Sequence, residues 1–221
     1  MGYTQGHSIY AALGQTGVQK FLHNVYSARP HYFNYASAGL GGGSVDIGLL
    51  PALPIPGSSS GIDFSLQFTE PVLSFFPAPT FPKLGPPVKD QFGLAITATI
   101  CLVTGMQSLS PRVRDLYRRS KRALDTPTLQ CADIKVLAVG GLTTQDSGTD
   151  KLIGLWAQAV DVSGTGNLDP LIAFILHQAL NSLLAKLQFS VNNIAQGAFA
   201  IRLEDGPNID GQQLEIWAGI I

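Results

Sequence analysis

The residues with the most chemical potential in this chain are few and scattered. There are four histidines, His7, His23, His31 and His177, and two cysteines, Cys101 and Cys131. Neither cysteine has a second Cys or His at ligand spacing, so the sequence indicates no thiolate metal site. His7 and His23 lie too far apart to chelate together, and His31 sits beside a proline in a turn. His177 is different: it interrupts an apolar helical run, with Asn181 one turn further on. Such a pair either hydrogen-bonds within a core or holds the polar head of a bound ligand. Gly57-Ser58-Ser59-Ser60-Gly61 spells the nucleophile-elbow pattern. That motif needs a strand before it and a helix after it, whereas here a proline-rich loop precedes and a strand follows. The glycines of Gly39–Ser44 fail the dinucleotide fingerprint for the same reason. Asn208, Asp210 and Gly211 imitate part of a calcium loop, but Trp217 stands where the bidentate glutamate would be, so a plain turn is expected. The residues therefore predict no enzyme, no cofactor and no metal.

A second kind of chemistry lies in Ser110–Asp125. Arg112, Arg114, Arg118, Arg119, Lys121 and Arg122 are six of the 14 basic residues in the chain, set against Asp115. Ser110 and Pro111 have the character of an N-cap and first turn, and Val113, Leu116, Tyr117 and Leu124 recur at helical spacing. A short basic amphipathic helix is expected, either solvated or in contact with an anionic membrane surface or an acidic protein. Tyr117 is the only aromatic residue of the cluster, a poor stacking platform, and the net charge of the chain is -1, so nucleic acid is not an expected partner.

The element that must organise these residues is Leu168–Gln188. Asp169 and Pro170 signal a helix start, and an apolar run through Leu187 covers far more than one third of the cylinder. Such a helix, roughly 30 Å long, needs wrapping. His177, Gln178, Asn181, Ser182 and Lys186 interrupt the run and argue against a membrane span. The rest of the 221 residues supply the wrapping: 45% are hydrophobic and 13% are charged, with abundant Gly and Pro, which favours a β-rich globule. Ile62–Thr69 alternates as a half-buried strand, and Glu70-Pro71 then shifts the phase. Phe92–Thr104 and Gln130–Leu142 alternate in the same way, and Lys151–Val162 is apolar on both faces. Gly197–Leu203 and Gln212–Ile220 are expected to close the chain as a hairpin across EDGPNIDG. Thr4–Tyr26 has helical spacing weakened by Gly14 and Gly17, and His31–Ala38 alternates weakly. Gly39–Gly61 is a long Gly/Pro/Ser-rich loop, open to being a lid, a docking arm or short edge strands. Pro77–Pro87 is a stiff connection.

The N-terminal residues lack a basic start and an apolar run, so a cytoplasmic location is expected, with non-classical export as the alternative. This favours two separate thiols, although Cys101 and Cys131 both lie on outer strand faces and would be neighbours if their strands form a hairpin.

The order of elements, with Leu171–Leu187 leading into GAFAIRLEDGPNIDGQQLEIWAGI, resembles the tubular lipid-binding superfamily, which includes bactericidal permeability-increasing protein-like domains and bacterial toxin-cluster relatives. The resemblance implies a single α+β domain over residues 1–221. In it a strongly curved antiparallel sheet wraps a long apolar helix, with an N-terminal helix and the basic helix as additions. It also implies non-catalytic binding of a lipid or fatty acid in a tunnel between helix and sheet. Ile172, Phe174, Leu176, Leu180 and Leu183 would face Phe92, Leu94, Ile96, Ile134 and Val136 across that tunnel, and His177 and Asn181 would hold the head group. The alternative is an assembly protein with a solid core that docks on other proteins of its cluster, a virion or a secretion particle, or forms an oligomer.

Overall fold

The computed structural model describes residues 4–41, 46–54, 61–77, 81, 83–104, 128–147, 150–163, 169–191 and 201–220. In chain order these form β1 (Ile9–Gly14), α1 (Gln15–Ala28), a 3-10 turn (Pro30–Phe33), β2 (Asn34–Ser37) and α2 (Ala38–Gly41). Short strands follow, β3 (Gly48–Leu50), β4 (Leu53–Pro54), β5 (Gly61–Ile62), β6 (Phe64–Phe68) and β7 (Val72–Phe75). Then come three long strands, β8 (Gln91–Thr104), β9 (Thr128–Ser147) and β10 (Asp150–Ser163), and the helix α3 (Asp169–Leu184). The two-residue β11 (Phe189–Ser190), β12 (Ile201–Asp210) and β13 (Gln213–Ile220) complete the chain.

Most of the structure is sheet, and the larger sheet curls strongly into a half-barrel. Its order is β11-β10-β9-β8-β6-β2-β3, with β7 joining β8 end to end with β6. All its ladders are antiparallel except β2 with β3. A separate three-stranded sheet has the order β1-β13-β12. The spine is the β8–β9 hairpin, where alternation decides the faces. Phe92, Leu94, Ile96, Ala98 and Ile100 are buried and stand beside Ala138, Val136 and Ile134 on β9. Gly140 pairs with Phe92, and a Cβ there would collide with the Phe92 ring and the Trp156 carbonyl, so only glycine admits that ring at the inner face. On the outer face Gly93 makes room for the Phe81 ring of the proline-rich connection. That connection is also tied to β10 by the Lys83–Asp161 ion pair at 3.1 Å.

Three expectations change. Ile9–Gly14, expected as helix, is a strand, because β13 offers it an antiparallel neighbour and Ile9, Ala11 and Leu13 also alternate at a period of two. The break in the helical spacing is Gly14, the residue before α1. In the closing hairpin, the stretch expected as its connection is a strand with register shifts between Leu203 and Asp205 and between Asp205 and Asn208. The turn is the two residues Gly211 and Gln212, both at positive φ (54° and 64°), the geometry that suits a tight hairpin. The long helix ends at Leu184, not Gln188. Its last turn tightens, with Lys186 N–H donating to Leu183 O and Leu187 N–H to Leu184 O.

The helices also manage strand edges that would otherwise be open. Gln15 and Gln19, one turn apart on α1, reach the free edge of β7. Gln15 Oε1 accepts from Phe75 N–H (2.9 Å) and Gln19 Oε1 from Leu73 N–H (3.0 Å), while Gln19 Nε2 donates to Pro71 O (2.9 Å). The β12–β13 turn locks onto the same corner: Gln212 N–H donates to Phe76 O, and Gln212 O accepts from Gln15 N–H.

Candidate functional site

The residues expected to line a tunnel come together, but as packed interior. Ile172, Leu176, Leu180 and Leu183 of α3 belong to one hydrophobic cluster with Phe92, Leu94, Ile96, Ile134 and Val136, and none is more than 4% exposed. A channel wide enough for a chain of methylenes would leave a strip of accessible surface on several of them. Among the described residues these nine side chains instead bury one another in a single cluster. Phe174 departs from the group: it is 51% exposed, because two residues along a helix at about 100° per residue turn it away from Ile172. The helix is therefore buried along one face, at positions 172, 175, 176, 179, 180, 183 and 184, and Leu187 continues that face just beyond its end. Burying each large one contributes about 1.5–3 kcal/mol before entropy is counted.

His177 and Asn181 converge on one backbone residue, Ala157, through His177 Nε2 and both polar atoms of the Asn181 amide. β11 pairs with β10 only at Leu152 and Ile153, and beyond that point no strand among the described residues lies beside the outer edge of β10. A bulge follows, where Gln158 falls between the pairs Ala157–Gly140 and Ala159–Val139. There α3 supplies the missing partners. Ala157 N–H donates to Asn181 Oδ1 (2.8 Å), and Ala157 O accepts from Asn181 Nδ2 (3.2 Å) and from His177 Nε2 (2.9 Å). Satisfying both backbone groups of one buried residue fixes the orientation of the amide and gives the imidazole its Nε2–H tautomer. The polar interruption of an apolar helix is thus a cap for an irregular strand edge.

The other histidines engage neighbours at the surface: His7 pairs with Glu204 (2.8 Å), His23 with Glu70 (3.0 Å), and His31 packs edge-on against Tyr32. Glu204 also faces Arg202 at 3.6 Å, and its hydrogen bond with His7 holds its carboxyl below the usual range. Lys186 lies over the rings of both Tyr32 and Tyr35, and burial lowers its pKa. Burial raises that of Tyr35, whose hydroxyl is enclosed and has no hydrogen-bond partner among the described residues. Cys101 and Cys131 are not separate thiols: they face each other in register on β8 and β9, with Cα atoms 4.0 Å apart, and form a disulfide. Arg112, Arg114, Arg118, Arg119, Lys121 and Arg122 lie outside the described residues. Among the described residues no group of three or more His, Cys, Asp or Glu side chains is placed to hold a metal. No described helix is long and apolar enough to cross a membrane.

An opening lined by hydrocarbon does exist, but elsewhere. It is a cavity of about 130 Å³ where the small sheet meets the end of the half-barrel. Its walls are three cross-strand pairs: Ala11 with Ile216, Leu13 with Leu214, and Ile153 with Phe189. Ala12 completes the lining, and Leu13, 37% exposed, stands at the rim. Phe189 is the wall on the side of α1, its ring centroid 4.6 Å from that of Phe21, and it touches both hydrophobic clusters of the molecule. Reading Ile9–Leu13 as helix hides this site, since only a strand pairs those side chains with β13. The alternation of Ile9, Ala11 and Leu13 is the signal that points to it. No protein-family model matches this chain, and no curated protein matches it either.

Proposed function

We propose that this protein is a non-catalytic binding module for a lipid, fatty acid or other apolar ligand, and that the ligand enters the cleft between the two sheets. The observation that carries the reading is the composition of that cleft: all seven lining residues present hydrocarbon, so transfer of an apolar group from water is favourable there and nothing would pair a charge. The curled sheet with a helix against its inner face supports the likeness to the tubular lipid-binding superfamily. In this reading the basic segment from Arg112 to Arg122 contacts an anionic surface and brings the cleft to the source of its ligand. A disulfide at Cys101–Cys131 favours an oxidising compartment over a reducing cytoplasm.

The burial of the side chains between α3 and the sheet favours a second reading, an assembly protein with a solid core. Native mass spectrometry separates the two. A one-to-one adduct of fatty acid or phospholipid, co-purifying or regained on incubation, is the expected result. A ligand-free protein that takes up none and forms a concentration-dependent oligomer refutes the binding module in favour of assembly.

A further inference from the structure

We infer that the cleft accepts one hydrocarbon group the size of a single six-carbon ring, either an aromatic ring or the end of an acyl chain, and that Phe189 sets this limit. The inference rests on the binding reading above and adds the ligand's size and the residue that selects it. A cavity of about 130 Å³ is close to the ~150 Å³ apolar cavity that takes up benzene, and far short of what a whole lipid tail occupies. The group that enters must be apolar throughout, because the walls offer it no hydrogen-bonding side chain. Three sides are backbone-supported: β1 is paired with β13 along Ala11–Leu13, and Ile153 is fully buried. The fourth is weaker. Phe189 is held by a strand of only two residues, β11, and by its contact with Phe21. Its ring lines the cleft and packs against Phe21 of α1, so it stands between the cleft and that helix. Truncating it lengthens the cleft toward Phe21, the ring against which it packs.

The test is an amide NMR titration of the full chain with toluene, hexanoate, biphenyl and dodecanoate, on the native protein and on Phe189→Ala and Ala11→Leu. Toluene or hexanoate should shift the amides of residues 11–13, 153, 189 and 214–216, whichever of the two binds tighter identifying ring or chain end as the natural group. Biphenyl and dodecanoate should bind the native protein at least about tenfold more weakly, the effect of groups that do not fit, and Phe189→Ala should erase that difference. Ala11→Leu fills the void, and should abolish binding with no loss of thermal stability. Equal binding of small and large probes by the native protein overturns the size limit and leaves the binding module standing. Retention of the small probes by Ala11→Leu overturns the cleft as their site and leaves the binding module standing, and it reports even if Phe189→Ala does not fold. Failure of all four probes, with a fatty-acid adduct still seen by mass spectrometry, overturns the site alone; failure of both overturns the site and the module together.

Discussion

The contact between α3 and the bulge in β10 allows a quantitative test of how the helix is held. Asn181 is the only described partner of the Ala157 N–H, while the Ala157 carbonyl has two, Asn181 Nδ2 and His177 Nε2. Ala157 is fully buried, so water does not replace a lost partner. Asn181→Leu keeps the side-chain volume roughly and strands the N–H, which costs about 1–3 kcal/mol. For a chain of this length, 2 kcal/mol corresponds to a fall of roughly 4–8 °C in Tm. His177→Leu removes one of two donors to the carbonyl and should cost only about 1 kcal/mol. The double variant strands the carbonyl as well, so it should exceed the sum of the singles by about 1 kcal/mol or more. Urea denaturation at constant m supplies the three values, and hydrogen exchange at the Ala157 amide should accelerate in Asn181→Leu ahead of its neighbours. A His177→Leu variant less stable than Asn181→Leu, or a double variant equal to the sum, would refute the assignment of these residues as an edge cap.

Removing the disulfide by Cys101→Ser with Cys131→Ser should cost roughly 3–4 kcal/mol, the chain-entropy value for a closure of 30 residues. Thiol titration in denaturant should find no free thiol before reduction and two after it; a double variant as stable as the native protein contradicts the structural role. Glu204 has a lowered folded pKa, so its contribution is fully present above the ordinary value of 4.5 and is lost as pH falls through the lowered one. Glu204→Gln should therefore flatten the acid limb of the stability curve below pH 4.5, and identical limbs for the two proteins would count against the His7–Glu204 pairing.

Much of the scaffold is legible in the residues. The alternation in Phe92–Thr104 and Gln130–Leu142 places the inward residues at the centre of β8 and β9, Phe92 to Ile100 and Ile134 to Ala138, because a strand has one period; toward the ends it fails, where Ala132 is exposed and Val103 buried. Asp169 and Pro170 mark the start of α3 for a local reason, the needs of a first helical turn. Ile9–Gly14 is legible either way, since apolar residues there satisfy both periods, and the neighbour that decides it, β13, is some two hundred residues away. His177 and Asn181 likewise announce a buried polar need without naming it; the need arises at Ala157, where β11 is too short to cover β10. Cys101 and Cys131 become partners through the register of a hairpin, which neither cysteine encodes alone. The sequence by itself determined which segments carry an apolar face and at what period. Whether they meet one another, as α3 and the inner face of the half-barrel do, or stop short and leave a cleft, as β1, β13 and Phe189 do, was decided by tertiary packing. Periodicity reports the direction of a side chain, whereas a cavity is set by the distance to whatever stands opposite.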